Sequence, residues 1–175
     1  MQKVIRFFIF FIAVLTAFSF NEPNKEKINW ITVQQLNEMY YKDPKPILID
    51  VYTDWCGWCK QMDKTTYENS KLITYVNTHY YAVRFNAESR DTFTFNKKSY
   101  GYDARYKSNQ LAEYLLSMQL EYPTTVFLSS VDAQPAPLAG YMKAKEMEAP
   151  LKYFGENGNR SQSFVEFNKG MKKEW

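Results

Sequence analysis

Two cysteines that are separated by two residues, shortly after an apolar run, constrain this chain more than any other feature. The run Ile47–Tyr52 is rich in branched residues and predicts a buried central strand, and Cys56-Gly57-Trp58-Cys59 follows it. A structural disulfide stabilises mainly by closing a long loop in the unfolded chain, and a two-residue gap closes almost none. Zinc needs about four ligands, and the chain offers no further cysteine and one histidine, His79. We therefore expect redox chemistry, with metal binding as the weaker alternative.

The first nineteen residues predict an export signal. Lys3 and Arg6 form a short cationic start, residues 7–18 are almost wholly apolar, and Ala17-Phe18-Ser19 has small residues where a signal peptidase cleaves. A membrane-spanning helix needs about twenty apolar residues, and this run is shorter. We expect cleavage near Ser19 and a periplasmic protein, with an uncleaved membrane anchor as the alternative.

Length and charge favour one globular domain without a nucleic-acid partner. The chain has 175 residues, of which 45% are hydrophobic and 23% charged. Cleavage after residue 19 would remove two cations and no acids, so the formal charge would fall from +3 to +1. A nearly neutral surface gives no electrostatic reason to bind nucleic acid. The predicted signal peptide, linker and single domain are residues 1–19, 20–29 and 30–175.

Hydrophobic periodicity predicts a mixed sheet between helices, an α/β sandwich. Thr32 and Gln35 form a capping box, and a helix is predicted from Cys59 to about Tyr67. Pro150 should kink a later helix or begin its main part, and Gly155 should end it. The predicted strands are 47–52, 80–85, 124–128 and 137–142, and the other helices are expected to begin at residue 69 or 70, at residue 108 or 109, and at residue 145.

Two additions to this sandwich are predicted, a hairpin and a terminal helix. Aromatic residues alternate with period two around Asn96-Lys97, which predicts the hairpin, and we expect their rings in the core rather than on a binding surface. A helix after the hairpin should carry Leu111, Leu115 and Met118 on one side. The hairpin aromatics are Phe93, Phe95, Tyr100 and Tyr102. The terminal helix is predicted from a second capping box, Ser163 with Glu166, and from one apolar stripe that consists of Phe164, Phe167, Met171 and Trp175.

The motif Trp55-Cys56-Gly57-Trp58-Cys59-Lys60, between a strand and a helix, resembles that of the thioredoxin superfamily. Asp50 matches the buried carboxylate that thioredoxins keep six residues before the first cysteine. Tyr122-Pro123-Thr124 resembles the cis-proline loop that faces the active site, and Gly140 matches a glycine of the last strand. The resemblance covers residues 47–154 and implies a thioredoxin-like fold with an inserted β-hairpin and helix and an extra C-terminal helix. The insertion, the terminal helix and Trp58 resemble secreted proteins related to the C-terminal domain of the membrane thiol:disulfide interchange protein.

The resemblance and the helix position together predict different roles for the two cysteines. Cys56 would lie at the first turn of a helix, where free N–H groups and the helix dipole favour a thiolate. Cys56 is therefore the predicted, exposed nucleophile. Cys59, one turn further on and more buried, would resolve the mixed disulfide.

Asp50 is predicted to assist that second step. Burial of its carboxylate costs several kcal/mol unless the group is paired or protonated, and a partly exposed strand end is the alternative. The resemblance implies that Asp50 accepts the proton of Cys59 through water. It also aligns Arg84 with a common basic partner of this carboxylate, although a solvated Arg84 is an equal alternative.

The remaining site residues are Pro123, which is predicted to be the fourth catalytic residue, and a set of residues predicted to bind substrate. Pro123 should be cis, which would leave neighbouring backbone groups free to pair with an extended substrate. Tyr122 would lie against the disulfide. The predicted substrate-binding residues are Trp55, Trp58, Tyr122 and Thr124, with core packing as the alternative for the tryptophans, above all for Trp55.

The prediction for function is an exported thiol–disulfide oxidoreductase that reduces or isomerises protein disulfides. The Cys56–Cys59 disulfide would be its only redox group, without a further cofactor. A membrane electron donor would reduce this disulfide again after each reaction. The protein is expected to be a monomer. Strong oxidants often carry histidine between the cysteines, and their potentials lie about 150 mV, or ~7 kcal/mol, above those of thioredoxins. Gly57-Trp58 therefore favours the reducing side. The alternative is a non-enzymatic module that binds an extended partner peptide.

Overall fold

A five-stranded mixed sheet forms the centre of the protein in a computed structural model, which describes residues 26–156 and 162–175. The strands lie in the order β1-β3-β2-β8-β9. The first three of these are parallel, while β8 runs antiparallel to β2 and β9 antiparallel to β8. The strand bounds are β1 Trp30–Ile31, β2 Ile47–Tyr52, β3 Tyr81–Asn86, β4 Phe93–Phe95, β5 Lys98–Tyr100, β6 Tyr102–Asp103, β7 Ser108–Asn109, β8 Thr124–Leu128 and β9 Ala136–Ala139.

The described residues include six helices, and the first five of them along the chain cover the two faces of this sheet, which confirms the predicted α/β sandwich. Their bounds are α1 Val33–Tyr40, α2 Gly57–Thr65, α3 Ser70–His79, α4 Gln110–Leu115, α5 Ala144–Gly155 and α6 Phe164–Gly170. One apolar core joins α1, α4 and the β4–β5 hairpin to one face of the sheet, and a second core joins α2, α3 and α5 to the other. Because β2 is buried on both faces, nearly all of its residues are apolar.

Local signals explain where several elements begin and turn. Both predicted capping boxes are present, at Thr32 before α1 and at Ser163 before α6. The turn between β4 and β5 consists of Asn96 and Lys97, both with positive φ, as a two-residue hairpin requires. Phe93 and Phe95 of β4 are buried, so this strand contributes to the core as predicted. The prediction is wrong for Tyr102, which lies outside the hairpin in β6, and Tyr100 is only half-buried.

The structure corrects the extent of four predicted elements. The helix α2 begins at Gly57 rather than Cys59, and β9 ends at Ala139 because Gly140 adopts a left-handed φ of 96°. The helix α4 ends at Leu115, and Met118 lies beyond it, half exposed and with positive φ. Likewise α6 ends at Gly170, so the predicted stripe does not continue to Met171 and Trp175. Instead, Trp175 packs edge-on against Tyr75 of α3.

The predicted signal peptide lies outside the described residues, as does most of the linker. Residues 26–29 of that linker pack against the domain, where Ile28 is buried and the backbone N–H of Asn29 donates to Asn77 Oδ1 at 2.9 Å. Among the described residues no helix combines the length and the apolar character that crossing a membrane would require.

Candidate active site

The two cysteines form a disulfide at the N-terminus of α2, with 5.3 Å between their Cα atoms. Cys56 is the N-cap residue, and its Sγ accepts a hydrogen bond from the backbone N–H of Cys59 at 3.0 Å. The sulfur of Cys56 therefore lies at the positive end of the helix, where a thiolate is stabilised.

The exposure of the cysteines differs from the prediction. Cys56 was expected to be exposed and Cys59 more buried, but the residues are 4% and 3% exposed. Exposure therefore does not distinguish the two cysteines in the disulfide form. The N-cap position of Cys56 is what makes the pair asymmetric.

Asp50 lies in the middle of β2 and is only 2% exposed, so it is not a partly exposed strand end. Its Oδ1 accepts a hydrogen bond from the hydroxyl of Tyr67 at 3.1 Å. Its Oδ2 lies 3.6 Å from Nε of Arg84, which occupies the paired position on β3. Arg84 also binds Asp63 of α2 at 2.7 Å, so a single guanidinium serves two carboxylates.

Burial dominates the protonation of this group. It raises the pKa of Asp50 from 3.8 to about 6; the positive charge of Arg84 opposes this, the negative charge of Asp63 adds to it, and the Tyr67 hydrogen bond lowers it. Burial also holds the pKa of Tyr67 well above its usual value, so its hydroxyl keeps the proton that it donates. A carboxyl group with a pKa near neutrality can both accept and release a proton under physiological conditions.

The peptide bond between Tyr122 and Pro123 is cis, as predicted. The carbonyl of Pro123 accepts a hydrogen bond from the backbone N–H of Gly140 at 2.8 Å, which ties the loop to the end of β9. Thr124 is fully buried, and its hydroxyl donates to the carbonyl of Glu121 at 2.8 Å. Thr124 therefore holds the loop from inside, and any contact that it makes with a substrate would use its backbone.

Trp55 and Trp58 are 66% and 63% exposed, so the alternative prediction that they pack in the core is wrong for both. The indole N–H of Trp55 donates to Glu88 Oε1 at 2.9 Å, and its ring meets that of Tyr122 edge-on at 5.9 Å. Burial and the nearby charge of Glu88 help to raise the pKa of Tyr122 to about 12, so this ring stays neutral. One indole is thus held over the surface beside the proline loop.

Four residues of this region were missed by the sequence analysis: Asp63, Tyr67, Glu88 and Tyr141. Asp63 had a signal, because it follows Cys59 by four residues, which places both side chains on one side of α2. Tyr67 follows Asp63 by the same interval but lies beyond the end of α2, so this spacing did not place it. Glu88 and Tyr141 had none, since each meets a tryptophan that lies far away along the chain.

Comparison with known proteins identifies relatives that are named for the exchange or isomerisation of disulfides. The chain is 26% identical over 124 residues to the thiol:disulfide interchange protein DsbD of Pectobacterium atrosepticum. The aligned segment covers 70% of this chain and 18% of that protein. The chain is 37% identical over 41 residues to a protein disulfide-isomerase of Datisca glomerata, which covers 23% of this chain and 8% of the relative. The chain therefore spans less than a fifth of the length of these curated relatives.

Solved structures share the fold at low sequence identity. A thioredoxin-fold protein from Helicobacter pylori superposes with a TM-score of 0.54 at 20% identity, covering 71% of this chain and 78% of the other. A thioredoxin from Thermus thermophilus gives 0.53 at 12% identity, covering 77% and 97%. The model of the thioredoxin-like domain family matches residues 33–155, which include every element from α1 to α5. This chain therefore belongs to the thioredoxin-like domain family.

Proposed function

We propose that this protein is an exported thiol–disulfide oxidoreductase that reduces or isomerises disulfides of other proteins. The observation that carries the proposal is the Cys56–Cys59 disulfide at the N-terminus of α2, with Cys56 as the N-cap. The names of the relatives, a thiol:disulfide interchange protein and protein disulfide-isomerases, support the same chemistry.

The reaction begins from the reduced dithiol. The thiolate of Cys56 attacks one sulfur of a substrate disulfide, the substrate S–S bond breaks, and one substrate thiolate leaves. Cys59 then loses its proton and attacks Sγ of Cys56, which releases the second substrate thiolate. The substrate gains two electrons, and the enzyme ends as the Cys56–Cys59 disulfide.

Asp50 is the proposed acceptor of the Cys59 proton, through water. Its burial and its pKa of about 6 suit this role, because the group is mostly ionised at neutral pH yet close to its protonation midpoint. Pro123, Trp55 and Tyr122 form the proposed docking surface for an extended substrate.

Reduction of the resulting disulfide requires a two-electron donor, and we assign this role to a membrane protein. Gly57-Trp58 between the cysteines favours a potential on the reducing side. Export through a cleaved leader would bring the enzyme to that donor. Intact-mass measurement of the secreted protein tests the leader, since a mass that retains residues 1–19 in a membrane fraction would favour an anchor.

Single-cysteine variants test the assignment of roles. Cys59→Ser should trap mixed disulfides with substrates, because the resolving thiol is absent, whereas Cys56→Ser should trap none. The wild-type protein should also accelerate the reduction of insulin by dithiothreitol. Equal trapping by both variants would refute the roles, and absent turnover would favour a non-enzymatic peptide-binding module.

A further inference from the structure

An open groove of about 490 Å³ lies beside the disulfide and is lined by Gly57, Trp58, Gln61 and Tyr141. The rings of Trp58 and Tyr141 form its aromatic side, with 5.5 Å between their centroids and a tilt of 40°. Gly57 follows Cys56 directly, so the groove begins one residue from the predicted nucleophile. None of the four lining side chains carries a formal charge.

The tyrosine side of the groove is held in place before any ligand binds. The hydroxyl of Tyr141 lies 3.0 Å from Oγ1 of Thr65, the last residue of α2. Since Oγ1 of Thr65 already donates its proton to the carbonyl of Gln61 at 2.8 Å, Tyr141 must be the donor in this pair. An aromatic ring fixed in this way loses little side-chain entropy on contact with a ligand.

Gly57 leaves space that the fold itself does not need. A β carbon at this position would meet no atom within 4 Å, and its backbone does not adopt the left-handed region in which glycine is favoured. Neither packing nor backbone conformation therefore requires glycine here. The absent side chain leaves the groove open at Gly57, the residue that follows Cys56.

We propose that this groove binds a large uncharged side chain, aromatic or aliphatic, of the substrate polypeptide next to its reacting cysteine. The proposal rests on the proposed function, because the occupant is the polypeptide that brings a sulfur to Cys56. Two aromatic rings without a charged neighbour in the lining favour an apolar occupant and disfavour a carboxylate, which would lose its hydration there.

Peptide disulfides test this specificity. Each probe carries one cysteine, blocked with 2-mercaptoethanol, and Phe, Leu, Ser or Asp at one of the two residues on either side. The measured quantity is the second-order rate constant with which each probe oxidises the reduced protein. At the position that enters the groove, Phe should react about tenfold faster than Asp, a ratio typical of one apolar subsite.

Variants connect the preference to the groove. Tyr141→Ala and Trp58→Ala should each reduce the Phe-to-Asp ratio to about twofold or less, while Tyr141→Phe, which keeps the ring, should retain it. Tyr106→Ala is the matched control, because Tyr106 is an exposed tyrosine of the insertion and lies outside the groove lining, and its ratio should equal that of the wild type.

Hydroxyethyl disulfide separates this proposal from the proposed function. If the reduced protein reacts with this small disulfide but shows no preference among the peptides, or if both alanine variants keep the preference, the groove proposal is wrong. If the protein fails to react with hydroxyethyl disulfide at all, the proposed function is wrong, and the proposal of a substrate subsite is then wrong as well.

Discussion

Replacing Asp50 by asparagine should stabilise the oxidised protein at neutral pH and leave its stability almost unchanged in acid. Folding raises the pKa of this carboxyl from 3.8 to about 6, mainly by burial. At ~1.4 kcal/mol for each pH unit, the buried charge costs about 3 kcal/mol of unfolding free energy. Asparagine resembles the neutral acid and avoids this cost. Arg84 should not be left unpaired in the variant, because it also forms an ion pair with Asp63 at 2.7 Å.

The pH dependence follows from the direction of the shift. The folded state binds the proton of Asp50 more tightly than the unfolded state does. The contribution of this group to the unfolding free energy therefore decreases as pH rises from 3.8 to about 6, and it does not change further at higher pH. The stability difference between Asp50→Asn and wild type should therefore be near zero below about pH 4 and reach about 3 kcal/mol at neutral pH.

Urea denaturation of both oxidised proteins across this pH range measures the difference. Asp54→Asn is the control, because Asp54 is exposed at the surface and its replacement should change the unfolding free energy by under ~0.5 kcal/mol at every pH. A difference for Asp50→Asn that does not vary with pH, or a loss of stability at neutral pH, would refute the argument that burial controls this group.

Three further predictions concern Tyr67, with Tyr80 as its control, Gly140 and Phe95. Tyr67→Phe removes the hydrogen bond that lowers the pKa of Asp50, so the pH midpoint for resolution of the mixed disulfide should rise by about one pH unit. Tyr80→Phe, which removes a buried hydroxyl bonded to Leu151, should leave that midpoint in place. Gly140→Ala should lower the unfolding free energy by about 1–2 kcal/mol, measured in urea, because φ at this residue is 96°. Phe95→Ala should lower it by about 3–5 kcal/mol in the same assay, since this ring of the hairpin is fully buried; a change under ~1 kcal/mol would mean that the insertion does not stabilise the domain.

Features that depend on neighbouring residues could be predicted from the sequence. The strand Ile47–Tyr52, the two capping boxes and the turn at Asn96-Lys97 all follow from local backbone preferences and hydrophobic periodicity. Local signals also placed a helix directly after the cysteine motif, but the different roles of the two cysteines were predicted only with the help of the family resemblance. The ends of α4 and α6 were predicted too far along the chain, because an apolar stripe continues past the point where the backbone leaves the helix.

Features that depend on contacts between distant residues required the tertiary structure. The environment of Asp50 combines Tyr67 with Arg84 from the neighbouring strand, and burial by the surrounding core raises its pKa. Trp55 remains exposed because Glu88, 33 residues away, holds its indole at the surface. The groove beside the disulfide exists because Trp58 meets Tyr141. Local periodicity carries no information on such pairs, since the packing of the sheet and helices alone brings them together.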